Sequence, residues 1–110
     1  MYSQGEILLI PFPFTDLSSQ KKRPVLVLSK DGYNDVAEDI VVAAITSNVD
    51  NKPYSIKLAS SDLSVGELKI KSCIRADKIY TLSQSIVIKS FGKVKSEVVS
   101  MVKEKLLNII

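Results

Sequence analysis

Three short stretches of this sequence set reactive side chains at the ends of apolar runs. The first is Gln20-Lys21-Lys22-Arg23-Pro24, which puts three cations in front of Val25-Leu26-Val27-Leu28. A proline biases the residue before it toward extended geometry. Arg23 is therefore expected to project its guanidinium in a fixed direction at a loop–strand junction, where it can clamp a phosphate through two parallel N–H bonds. A solvated arginine on a loop end is the default reading on sequence alone. The second stretch is Thr46-Ser47-Asn48, where the apolar run Asp39–Thr46 ends. Hydroxyl and amide groups there can hold an anion or a scissile oxygen, but they are also ordinary turn formers, and spacing alone favours the turn. The third is Cys73-Ile74-Arg75-Ala76-Asp77. Strand positions two apart share a face, so Arg75 and Asp77 point one way while Ile74 and Ala76 face a core. That pair is either a surface ion pair worth about 0–1 kcal/mol or an acid–base and electrostatic pair at a cleft. Cys73 reads as a small buried hydrophobe.

Composition removes several kinds of chemistry. The sequence has no histidine, which excludes histidine acid–base catalysis and histidine metal ligation. Its one cysteine excludes an internal disulfide and a cysteine zinc site, and fits a reducing cytoplasm. No cofactor and no metal are expected. Fifteen Lys and Arg stand against 12 Asp and Glu, a net charge of +3, which permits a polyanionic partner without requiring one. With 110 residues, 45% hydrophobic and 25% charged, residues 1–110 read as one domain with one core. The opening MYSQGEILLI carries Glu6 and no basic start, so it does not read as a signal peptide. No apolar run approaches the length of a membrane span.

The elements that must position these groups follow from periodicity. Residues 6–11, 24–29 and 39–46 read as strands, the last apolar on both faces and so interior. Residues 11–22 read as a loop, broken by two prolines and several turn formers. Residues 30–35 read as a turn with room for one helical turn, and 47–53 as a polar loop. Strands are expected at about 54–58, 67–75 and 79–83, with 85–92 a short strand or irregular. The period then changes. Val98, Val102, Leu106 and Ile109 recur at helical spacing, widened by Val99, Met101 and Ile110, with Ser96 as N-cap and Glu97 in the first turn. That helix should cover an open sheet face. Short strands with one terminal helix predict a small barrel or curled antiparallel sheet, mainly β, without βαβ units.

In order and spacing these landmarks resemble the MazF/PemK family of toxins from type II toxin–antitoxin modules. The likeness runs from Gly5-Glu6-Ile7 through Arg23-Pro24-Val25-Leu26-Val27-Leu28 and Ile45-Thr46-Ser47 to Ile74-Arg75-Ala76-Asp77-Lys78-Ile79 and the helix after Gly92. It implies an SH3-like barrel of the MazF/PemK/CcdB type, usually a homodimer. It implies a metal-independent, sequence-specific endoribonuclease acting on single-stranded RNA, typically mRNA, and a cognate antitoxin that blocks the RNA groove. Arg23, Thr46, Arg75 and Asp77 carry over as catalytic positions. The basic lip Gln20, Lys21 and Lys22, with Ser47 and Asn48, is expected to bind RNA. Some members have a histidine in the first loop; Ser18, Ser19 and Gln20 stand there instead. Asp77 is then the one acid in these stretches able to take a proton from a ribose 2′-OH. Two other readings stay open: a non-catalytic protein binder of the same fold, like the gyrase-poisoning toxins, and an inactive family member.

Overall fold

The structure is a computed structural model that describes residues 1–12, 21–50 and 52–110. Gln20 and most of the expected loop at 11–22 lie outside the described residues. Seven strands among these form one sheet: β1 (Glu6–Pro11), β2 (Lys22–Val27), β3 (Asp39–Thr46), β4 (Ser55–Leu58), β5 (Leu63–Val65), β6 (Ser72–Ser83) and β7 (Lys89–Val94). Helix α1 (Asp31–Val36) joins β2 to β3, and α2 (Ser96–Leu107) closes the chain. The strand order is β4-β6-β3-β2-β1-β7-β5, and every pairing is antiparallel. The expected curled antiparallel sheet with a C-terminal helix is therefore present.

Because strand side chains alternate, one apolar sequence supplies two cores. On one face Ile7, Leu26, Ile45, Ile56 and Ile74 pack with Val98, Val99 and Val102 of α2. On the other, Leu8, Ile10, Val25, Val27, Ile40, Val42 and Leu82 form a second cluster, on which Tyr2, Tyr80, Ile86 and Val87 rest. β3 contributes to both, which is why it reads as apolar throughout.

β1 and β3 have the expected bounds, but other elements differ. β2 starts at Lys22, two residues early, because it pairs with Pro11 and so extends β1's ladder. Residues 67–71 are not strand, although their apolar positions suggested it; the pairing there begins only at Ser72. The two expected strands at 67–75 and 79–83 are one long strand with a register shift. β5 was not expected. Helix α2 begins at Ser96 with Lys95 at the N-cap, and Ser96 instead donates its hydroxyl to Glu97 at 3.1 Å. The apolar stripe of α2 is narrower than its sequence: Met101, Ile109 and Ile110 are exposed.

Candidate active site

β2 and β3 pair only from Val25–Ala44 to Val27–Val42. Beyond Val25 the strands part, so Lys22, Arg23 and Pro24 are paired on the β1 side alone. This explains how an interior strand tolerates Pro24, whose missing N–H would otherwise interrupt a ladder. The parting opens a cleft of about 320 Å³ lined by Phe12, Arg23, Thr46, Arg75, Lys78 and Tyr80, among others. Directly opposed strand residues share a face, and the pairs Ile10–Arg23, Val25–Ala44 and Ala44–Arg75 connect β1, β2, β3 and β6 on one face. Arg23, Thr46 and Arg75 are thus the polar continuation of the second core.

Each side chain has a definite support. Arg23 is exposed, and its guanidinium carbon lies 5.9 Å from the centroid of the Phe12 ring, within cation–π range. Thr46 is half-buried, and its Oγ1 accepts the Asn48 N–H at 3.1 Å. That contact uses a lone pair and leaves the hydroxyl hydrogen to be donated. Asn48 Oδ1 in turn accepts the Asp50 N–H at 3.1 Å. The turn reading of this stretch is therefore correct, and it orients Thr46 as well. Ser47 faces a neighbouring cavity, not this cleft, and Lys21, Lys22 and Asn48 are exposed outside its lining.

The third stretch sits on a bulge. Ala44 opposes Arg75 and Ala43 opposes Ile79, so Ala76, Asp77 and Lys78 have no partner on β3. Bulges bend a strand and re-aim its side chains. The Ala76 N–H donates to the Tyr54 carbonyl at 3.0 Å, and Tyr54 is held at φ 58°. A bulky residue in this left-handed region costs on the order of 1–2 kcal/mol, so the surrounding structure must enforce it. Ile74 and Ala76 are buried, as alternation predicts. Regular alternation would, however, put Lys78 on the face of Ile74; the bulge brings it to the cleft. Lys78, Tyr80 and Phe12 are cleft residues that sequence reasoning missed, and only knowledge of the bulge could have found Lys78.

Arg75 and Asp77 form a two-pronged pair: Nε donates to Oδ1 at 2.9 Å and Nη2 to Oδ2 at 2.8 Å. The hydrogen bond to Asp77 raises the guanidinium pKa, and the same bond from Arg75 holds the Asp77 carboxyl below the usual carboxylate range. Asp77 does not line the cleft, and both its oxygens are engaged. Cys73 is buried and unpaired in any disulfide. Among the described residues, no three Cys, Asp or Glu side chains gather as a metal site. Nor is any helix among them long and apolar enough to cross a membrane.

The curled antiparallel sheet with its C-terminal helix is a fold shared with toxins of known structure. The MazE–MazF complex (Form III) of Deinococcus radiodurans is similar with a TM-score of 0.79 and 23% identity, over 98% of this chain and 94% of that one. An endoribonuclease in complex with its cognate antitoxin, from a mycobacterial species, is similar at 0.77 and 19%, over 98% and 93%. The Mycobacterium tuberculosis toxin MazF-mt6 is similar at 0.74 and 19%, over 94% and 93%. Sequence comparison with curated proteins finds no match. Residues 3–110 match the model of the PemK-like, MazF-like toxins of type II toxin–antitoxin systems, and the chain belongs to that family.

Proposed function

We propose that this protein is an endoribonuclease toxin that cuts single-stranded RNA, in particular mRNA, at short sequences by attack of the ribose 2′-OH, without a metal. The observation that carries this reading is the convergence of Arg23, Thr46 and Arg75, from three different strands, on one cleft. Cleavage passes through a phosphorane whose charge needs fixed donors. Arg23 and Arg75 supply guanidinium N–H groups, and Thr46 donates its hydroxyl to a phosphate oxygen. Lys78 adds a third positive charge on the cleft wall. Arg75, its pKa raised by Asp77, serves by charge and not as a proton donor. Asp77 keeps the Arg75 fork aligned. Lys21, Lys22, Ser47 and Asn48 flank the path of the RNA, and Gln20, next to Lys21 in sequence, is proposed to bind it with them.

The partners follow from the family. The mycobacterial endoribonuclease is bound to its cognate antitoxin, and we propose an antitoxin here that occupies the same cleft. We also propose a cytoplasmic homodimer; the dimer is supported by the exposed Leu107 at the end of α2 and Ile109 and Ile110 beyond it, and light scattering reads it directly. The test of the activity is incubation with a long, defined single-stranded RNA. Wild-type protein should cut it at discrete positions. Arg23→Ala should fold normally and cut roughly a hundredfold more slowly, about 3 kcal/mol of lost phosphorane stabilisation. Arg23→Lys should also be poor, since a point charge does not reproduce the fork. Intact RNA with folded wild-type protein would turn the reading to a protein-binding toxin.

A further inference from the structure

We propose that a second cavity, on the far side of Arg23 and Thr46, seats an unpaired base of the RNA stacked on Phe91. The inference rests on the ribonuclease reading above and adds a specificity residue to it. The cavity measures about 460 Å³ and shares Arg23, Pro24, Ile45 and Thr46 with the cleft. A phosphate held by Arg23 and Thr46 would therefore stand at the mouth of both. A base and its phosphate are joined through one ribose, so a neighbouring base falls within reach of this cavity. Its walls include Ile45, Leu68, Ile70 and Phe91. Its charged side chains are Arg23, Lys69 and Lys89 against one carboxylate, Glu67. That excess of cations suits a nucleotide better than an apolar or acidic-poor peptide.

Phe91 is placed here by the backbone. Ile7 opposes Gly92 and Leu8 opposes Ser90, so Phe91 is the extra residue of a bulge on β7. It remains 39% exposed. The segment is held from the other side by a close backbone approach. A Cβ on Gly92 would fall 2.3 Å from the Val65 carbonyl oxygen, so only glycine fits there. Lys89 lies with Nζ 5.0 Å from the Phe91 ring centroid. An aromatic face beside a flexible cation is the pairing that single-strand binders use, the ring for the base and the cation for the backbone. A base entering the cavity would take the ring face and move the ammonium onto the phosphate backbone.

The test is single-turnover cleavage of one defined single-stranded RNA by wild type, Phe91→Leu and Phe91→Trp. The same RNA is also made with an abasic nucleotide at each position flanking the cut. Loss of one stacked base predicts a half-saturating protein concentration about 5- to 150-fold higher for Phe91→Leu, with a much smaller change in the saturating rate. Phe91→Trp should bind as well as wild type or better. One of the abasic RNAs should weaken wild type by a similar factor yet leave Phe91→Leu no weaker than before. Equal half-saturation for Phe91→Leu and wild type, or an abasic penalty equal in both, would overturn the proposal. Should Phe91→Leu fail to fold, the Phe91→Trp protein decides, since its abasic penalty must equal or exceed that of wild type. Wild-type protein that leaves the RNA whole contradicts the ribonuclease reading itself, whereas cleavage without the Phe91 effect contradicts this subsite alone.

Discussion

Arg75 spends two of its N–H groups on Asp77, and that pairing limits what each residue can do in the cleft. If Asp77 acts through Arg75, removing Arg75 removes its effect. Arg75→Ala should slow cleavage about a hundredfold and Asp77→Asn about tenfold, with the double variant no slower than Arg75→Ala alone. A double variant clearly slower than Arg75→Ala would give Asp77 an independent part, as the proton acceptor. The pair also predicts a pH dependence. The Asp77 pKa is lowered on folding, so its contribution to stability is complete above the unfolded carboxyl value of about 3.9 and is lost as pH falls through the lower folded value. The pair is partly exposed, which keeps that contribution within about 1 kcal/mol. Thermal melts of Asp77→Asn and wild type should differ by a constant small amount from pH 8 to pH 5, and the difference should shrink below about pH 4. The residue types of this site were legible in the sequence: an arginine before proline, a hydroxyl at a strand end, an arginine and acid two apart. The Arg75–Asp77 pair was legible too, from their shared face; the presence of Lys78 in the cleft was not, because it depends on the bulge in β6.

At the scale of elements, the cleft exists because two ladders are interrupted. β2 leaves β3 beyond Val25, and β6 bulges opposite the Ala43–Ala44 step. Strand periodicity revealed β1 and β3 to the residue, since both are apolar runs bounded by turn chemistry. It could not reveal a bulge, which breaks the alternation on which the reading relies, nor the three-residue β5, which has too few positions to show a period. Helix α2 shows the same limit. Its stripe was visible, but burial is set by what lies beneath, and the sheet covers Val98, Val99 and Val102 while leaving Met101 in solvent. Val102→Ala should therefore destabilise the fold by roughly 2 kcal/mol through lost burial and a residual cavity. Met101→Ala should stay within about 0.5 kcal/mol. Denaturant unfolding of the two variants checks the contrast, and equal losses would mean that the helix packs differently.

For the whole molecule, a sheet with two apolar faces needs two covers. Helix α2 supplies one, and the curl of the sheet, with Tyr2, Tyr80, Ile86 and Val87, supplies the other. The cationic cleft opens where the second cover stops, so the fold presents its charged groups at the end of a rigid core and not on an independent loop. Charge alone did not announce this: a net +3 is modest, and the arrangement of Arg23, Arg75 and Lys78 concentrates it. We propose that these groups stabilise attack by the substrate's own 2′-OH, a nucleophile already tethered beside the phosphorus. The most direct measurement uses one RNA oligonucleotide and a copy in which the nucleotide at the cut alone is 2′-deoxy, each incubated with the protein in EDTA. The all-ribose strand should be cut, leaving a 2′,3′-cyclic phosphate and a free 5′-OH, and the substituted strand should remain whole. Efficient cutting of the deoxy-substituted strand, or no cutting of the ribose strand until magnesium is added, would contradict metal-independent attack by the 2′-OH.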